Sequence, residues 1–325
     1  TEIHFSQLSE MREFGGAAVC TGLSEAVIQD FLDDGTELAS AIQRAYDHFV
    51  MAKASHQEFL ALDEESQVGR AQERYTNFYS QDAINPYVAA GGAGPWVVSL
   101  KGAVIYDCGG YGMLGLGHAP QIVLDAMNQP HVMANIMTSS ISQMEFIASL
   151  REEIGHNRTG AEPFASFLCL NSGSEATSVA SRIADINTKN LTDPGARHAG
   201  REVRGLTLEG SFHGRTDRPA RFSDSTIKNY RKHLASYRDN DYLLTVEPNN
   251  LGALEKAFAD AEAANTFIEA FFMEPVMGEG NPGQSIDPDF YARARELTRE
   301  HGSMLVIDSI QAGLRAHGVL SIVDY

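Results

Sequence analysis

The sequence is short of cysteine. Only Cys20, Cys108 and Cys169 occur among 325 residues, an odd number at wide spacing, which argues against a disulfide framework or a cysteine-based zinc site. Basic residues are also outnumbered. Against 43 Asp and Glu stand 25 Lys and Arg, and the formal net charge of -18 repels phosphodiester backbones and anionic bilayers. No nucleic acid and no membrane partner is expected. No apolar run is long enough to span a bilayer, and no charged start followed by an apolar stretch reads as a signal peptide. A soluble, cytoplasmic protein is the expectation. What the chain does contain, 43% hydrophobic and 21% charged residues, suffices for one large packed domain with a smaller appendage.

From Ser24 to about Tyr79 the apolar positions recur at helical spacing, as in Ile42, Ala45, Tyr46, Phe49 and Val50, so residues 1–85 are expected to be a helical N-terminal extension. Asn85-Pro86 and the Gly91 to Pro95 cluster break this pattern. Trp96 to Val98 and Val104 to Asp107 then read as a hairpin around Lys101-Gly102, inside a small-domain segment and active-site strand spanning 86–140. Beyond it, short apolar strands alternate with helices: Phe167 to Leu170, a helix from Ser174 to about Lys189, Val203 to Leu208, Phe271 to Glu274, a helix from Pro288 to His301, and Met304 to Asp308. Continuous apolar strands separated by helices are the pattern of a parallel sheet covered on both faces, so 141–325 is expected to be a large α/β domain.

Four stretches carry chemistry. In Asn171-Ser172-Gly173-Ser174-Glu175 a strand is expected to run through a small-residue turn into a helix, where Gly173 permits close approach and backbone N–H groups at the helix start can seat a phosphate. An ordinary N-cap by a serine fits the same residues. In Gly210-Ser211-Phe212-His213-Gly214 an aromatic at a strand's carboxyl end could lie flat on a planar ring, although a Phe there can equally be core. Phe271-Phe-Met-Glu274-Pro275 and Leu305-Val-Ile307-Asp308-Ser309-Ile310-Gln311 each place a carboxylate at the end of an apolar strand, where burial is costly unless a proton-bearing group meets it. A capping or ion-paired carboxylate is the plainer alternative.

Taken together and in this order, the four stretches resemble the class III (ω-) aminotransferase family of fold-type I pyridoxal-phosphate (PLP) enzymes, from about residue 86 onward. The resemblance implies a PLP-dependent transferase-like large domain with a mostly parallel sheet, preceded by the helical and small antiparallel N-terminal region. It implies that Ser172, Gly173 and Ser174 bind the cofactor phosphate, that Phe212 stacks on the pyridine ring with His213 beside it, and that Asp308 pairs with the ring nitrogen. It implies that Ile310 and Gln311 bind the cofactor from the same turn, Gln311 toward the ring's phenolic oxygen, and that Asp308 is catalytic together with Glu274, which lines the substrate side. Lys101 to Pro120 resembles the family's amino-terminal active-site strand and turn, with Tyr111 facing substrate. Asp308-Ser309 stands where the family has Asp-Glu, and the family's Schiff-base lysine is expected beyond Tyr325.

The implied activity is amino transfer from a primary amine or amino acid to a keto acid or aldehyde, by a homodimer. An aminomutase, decarboxylase or racemase would share the same ring-binding residues, and a non-catalytic binding protein on the same fold is the rival from another class.

Overall fold

The computed structural model describes residues 1–77, 79–108, 115–132, 135–154, 164–238 and 241–313. The chain divides into two compact units, Thr1–Asn135 and Ile136–Tyr325.

In the first unit the helical spacing of the sequence becomes α1 (Glu2–Glu13), α2 (Glu25–Asp34), α3 (Thr36–Ser55), α4 (Gln57–Leu60) and α5 (Glu64–Gln72). A three-stranded antiparallel sheet follows, β1 (Ala89–Ala93), β2 (Trp96–Ser99) and β3 (Val104–Tyr106), and then α6 (Gln121–Met127). The expected hairpin is present, with Trp96 opposite Tyr106 and Val98 opposite Val104. The helix α3 buries Leu38, Ala41, Ile42, Ala45 and Phe49, one stripe at three- and four-residue spacing, in a core shared with Trp96 and Val98 of the sheet. Gly91 lets β1 meet this helix closely, because a Cβ there would lie 2.4 Å from the Ala45 nitrogen. The hairpin turn is buried as well. Lys101 Nζ donates to the carbonyls of Gly15 and Leu60, tying the segment after α1 and the end of α4 to the turn.

The second unit contains α7 (Ile141–Glu153), α8 (Gly173–Thr192), β4 (Glu202–Leu208), α9 (Asp217–Arg221), α10 (Asp224–His233), β5 (Leu243–Val246), α11 (Leu251–Ala263), β6 (Thr266–Met273), α12 (Pro288–His301) and β7 (Met304–Ile307). The strands pair in the order β5-β4-β6-β7, every neighbouring pair parallel. The helices between consecutive strands are the crossovers that parallel pairing requires. On one face Leu206, Ile268, Phe271 and Met273 pack with Leu254 and Phe258 of α11 and Phe290 and Leu297 of α12. On the other, Ala270 and Phe272 pack with Ala184 of α8 and with Phe222. Both faces are covered, which is why the strands read as largely apolar runs.

One expected strand is absent. Phe167–Leu170 is irregular, with Leu168 60% and Leu170 41% exposed. An apolar run becomes a strand only where a neighbour takes up its backbone N–H and C=O groups, and among the described residues no strand pairs with it. The helix expected after it forms nonetheless.

The central strand β6 carries one carboxylate in its middle. Glu269 is buried and accepts hydrogen bonds from the Tyr242 hydroxyl and from Arg218 Nη2 at 3.0 Å, while Arg218 also reaches Asp185 at 3.3 Å. Burial pushes the Glu269 carboxyl above its ordinary value of 4.5, against the pull of Tyr242 and Arg218. Burial and the adjacent carboxylate push the Tyr242 hydroxyl upward too, keeping it a donor. The folded state therefore binds the Glu269 proton more tightly than the unfolded chain does. The stability this contributes is complete below pH 4.5 and is lost as pH rises through the elevated folded value. In Glu269→Gln, whose amide oxygen can accept both bonds, the decline in melting temperature between pH 4.5 and 8 should be smaller than in the unsubstituted protein; equal declines in the two proteins would contradict the assignment.

Candidate active site

Three loops leave the carboxyl ends of β4, β6 and β7, and each brings one chemical stretch. After β4, Phe212 is half-buried and His213 is buried. After β6, Glu274 is 2% exposed, and after β7, Asp308 is 6% exposed. The loops are cross-linked by side chains. His213 Nδ1 lies 2.8 Å from Asp308 Oδ2, which joins the β4 loop to the end of β7 across the intervening β6. Glu274 takes the backbone N–H of Phe212 on one oxygen at 2.9 Å and that of Gly278 on the other at 3.1 Å. Burial pushes the Glu274 carboxyl upward; the two N–H donors and His213 oppose that shift and Asp308 adds to it.

The N-terminus of α8 joins the same cluster. Ser172 caps the helix by accepting from Glu175 N at 3.2 Å, and the Glu175 carboxylate accepts in return from Asn171 N at 2.9 Å. The first N–H groups of a helix have no acceptor within the helix, so Gly173 and Ser174 present donors at a positive helix end. A Cβ on Gly173 would meet Ile310 Cδ1 at 2.7 Å, one on Gly214 would meet Ser174 Oγ at 3.2 Å, and Thr177 Oγ1 donates to the His213 carbonyl at 3.0 Å. Asp308 Oδ1 accepts from Ile310 N at 3.1 Å, and Gln311 lies against Gly278, where an added Cβ would be 1.3 Å from its Oε1. A cavity of about 460 Å³ opens beside Asp308, lined also by Ile154, Thr177, Ile310 and Gly313.

Gly173, Ser174, Phe212, His213, Glu274, Asp308, Ile310 and Gln311 are thus linked in one place, and Ser172 is next to them in its capping role. Tyr111 lies outside the described residues. Residues not singled out from the sequence are Thr207, Thr177 and Ser223, whose hydroxyls hold His213 from β4, α8 and the turn between α9 and α10, and Ser211, whose hydroxyl meets that of Thr207. Thr207 left a trace in the sequence as a polar residue between Leu206 and Leu208, in a strand buried there.

A parallel sheet whose carboxyl edge gathers a helix start, an aromatic ring and a buried acid places the chain in the α/β, PLP-dependent transferase-like class of fold type I. The profile of the class-III aminotransferases matches residues 78–322, and the chain belongs to that family. It is 30% identical over 235 residues to the LysW-aminoadipate semialdehyde transaminase of Deinococcus radiodurans, covering 72% of this chain and 49% of that protein. It is 30% identical over 256 residues to the acetylornithine aminotransferase of Mesorhizobium japonicum, covering 74% and 55%. The chain spans about half the length of these relatives. Among solved structures it shares its fold with the ornithine aminotransferase from Toxoplasma gondii ME49, with a TM-score of 0.61 and 23% identity over 84% of this chain and 60% of that one. No described helix is long and apolar enough to cross a membrane.

The loops after β4 and β6 approach so closely that Gly280 is required. A Cβ there would lie 1.9 Å from the Gly210 carbonyl oxygen, which is backbone, whereas a Cβ on Gly278 meets only the far end of a side chain. Gly280→Ala should lower stability by about 1–3 kcal/mol, the usual cost of overpacking. Gly278→Ala should displace Gln311 at smaller cost, and denaturant titration of the two variants distinguishes them.

Proposed function

We propose that the complete protein is a PLP-dependent aminotransferase moving an amino group from a primary amine or amino acid to a keto acid or aldehyde. The observation that carries this reading is the buried Asp308, aligned by His213 and by Ile310 N at the carboxyl edge of the sheet, in a chain of the class-III aminotransferase family. The residues fit the cofactor chemically. A helix start offers N–H donors to a phosphate, Phe212 offers a half-buried aromatic face with Arg215 Cζ at 5.4 Å from its ring centroid, and Asp308 is a buried acceptor with lone pairs left beyond its two partners.

When bound, PLP supplies a protonated pyridine ring that withdraws electrons from the carbon bearing the amine. Asp308 would hold the proton at the ring nitrogen, and Phe212 would stack on the ring. Gly173 and Ser174 would bind phosphate oxygens from the start of α8, with Ser172 fixing that helix start. Glu274 holds the Phe212 and Gly278 loops together by their backbone N–H groups and keeps the substrate side in shape. Gln311 would approach the phenolic oxygen, and Tyr111 would face substrate. None of the lysines seen in the structure is proposed as the one bound to the cofactor. Lys101 is held by two carbonyls in the first unit, and Lys189 and Lys256 pair with Asp193 and Asp260. By resemblance to the family the assembly is a homodimer, and three unpaired cysteines support a reducing, cytoplasmic location.

The test is to mix the complete protein with PLP, an amine donor and 2-oxoglutarate or pyruvate and to follow new amino acid. A PLP absorption band without keto-acid-dependent transfer would redirect the reading to another PLP reaction, and the lack of any band would end it. Asp308→Ala should reduce turnover by about 10²-fold or more, since it removes the group that holds the ring proton. Phe212→Ala should weaken PLP affinity by roughly 2- to 10-fold, the worth of one aromatic stacking contact, in an absorbance titration.

A further inference from the structure

His213 is bonded at every polar atom it has. Its backbone N–H donates to Ser223 Oγ at 2.9 Å and its carbonyl accepts from Thr177 Oγ1 at 3.0 Å; Nδ1 lies 2.8 Å from Asp308 Oδ2 and Nε2 lies 3.1 Å from Thr207 Oγ1. Three of these contacts have a clear result: the backbone bonds place the residue, and Asp308 marks where one ring nitrogen points. The fourth runs to a hydroxyl in the middle of the sheet. Thr207 is 0% exposed, and its hydroxyl stands 2.6 Å from Ser211 Oγ and 3.2 Å from the Phe272 carbonyl in addition to Nε2.

Asp308 holds the imidazole at one nitrogen only, which leaves the ring free to tilt and twist about that single contact. A hydroxyl on the opposite edge of the ring removes that freedom. Turning the imidazole over would set carbon atoms against both Asp308 and Thr207 and leave two buried polar groups without partners. Thr207 cannot yield to such a turn, because it belongs to β4, whose residues Leu206 and Thr207 are in register with Phe271 and Phe272 of β6, and the ring packs edge-on against Phe272 at 5.4 Å between centroids.

We propose that Thr207 is a positioning residue that holds the imidazole of His213 in one orientation from the edge opposite Asp308, and through His213 sets the direction in which the Asp308 carboxylate points. The effect on a bound ring rests on the functional reading above, whereas the orientation of His213 is a property of the chain itself.

The experiment is proton NMR of the complete protein in water, without added PLP, in the downfield region where hydrogen-bonded imidazole N–H protons resonate. The His213 signal is assigned by its loss in His213→Gln. The expected result is one sharp signal in the unsubstituted protein and in Thr207→Ser, and a broadened or divided signal in Thr207→Val, which has the same shape but no hydroxyl. With PLP added, Thr207→Val should bind severalfold more weakly and Thr207→Ser should restore the affinity. A His213 signal of unchanged position and width in Thr207→Val overturns the proposal, as does a loss of the sharp signal in Thr207→Ser. A failure of PLP to bind any of the proteins removes the functional reading but leaves the apo-protein signal, so the two are separately tested.

Discussion

The hydrogen bond between His213 and Asp308 is the contact on which the site depends. The two side chains are 0% and 4% exposed, and they come from loops 95 residues apart in the chain, at the ends of strands that are not neighbours in the sheet. A buried carboxylate without a partner is costly, and so is an imidazole edge facing nothing polar. The bond therefore holds the β4 loop against the end of β7 as much as it aligns a functional group. Glu274 repeats the device from the strand between them, using backbone donors of the Phe212 and Gly278 loops in place of a side-chain partner.

This cross-linking explains why the chemistry lies where it does. In a parallel sheet every strand delivers its chain to the same edge, so residues that follow β4, β6 and β7 converge without any single loop having to be long. Hydroxyls then fill the gaps: Thr207, Ser223 and Thr177 satisfy polar atoms of His213 from elements that meet at that edge, and Ser211 meets the hydroxyl of Thr207. Glycines set the spacing, since Gly280 admits the carbonyl of Gly210 and Gly173 admits the side chain of Ile310.

The first unit follows a different logic. The family match starts at residue 78, yet the core of this unit draws on Leu8, Met11, Ile28 and Phe49 together with Trp96 and Val98. The helices that precede the matched region are thus part of the packing of the small sheet. Lys101 makes the connection polar as well as apolar, because its ammonium group is buried against two carbonyls from the helical segment. Burial lowers its pKa, with Glu64 and Asp63 opposing. Glu64 in turn caps the N–H groups of Val19 and Cys20 at 2.7 Å.

The sequence by itself determined the helix from Pro288 to His301, the hairpin around Lys101-Gly102, the strands β4, β6 and β7 and the four stretches with their order, because periodicity, turn residues and short motifs are local properties, whereas β5 (Leu243–Val246) was not read from it. It also determined the family, since small residues, an aromatic and acids at fixed places relative to strand ends are written along the chain. Tertiary structure alone decided that Phe167–Leu170 is not a strand, because strand formation needs a partner's hydrogen bonds and an apolar run does not name its partner. It alone showed Lys101 and Glu269 to be buried, and brought Thr207 to His213, because what surrounds a charge or a hydroxyl depends on segments distant in sequence and becomes visible only when they meet.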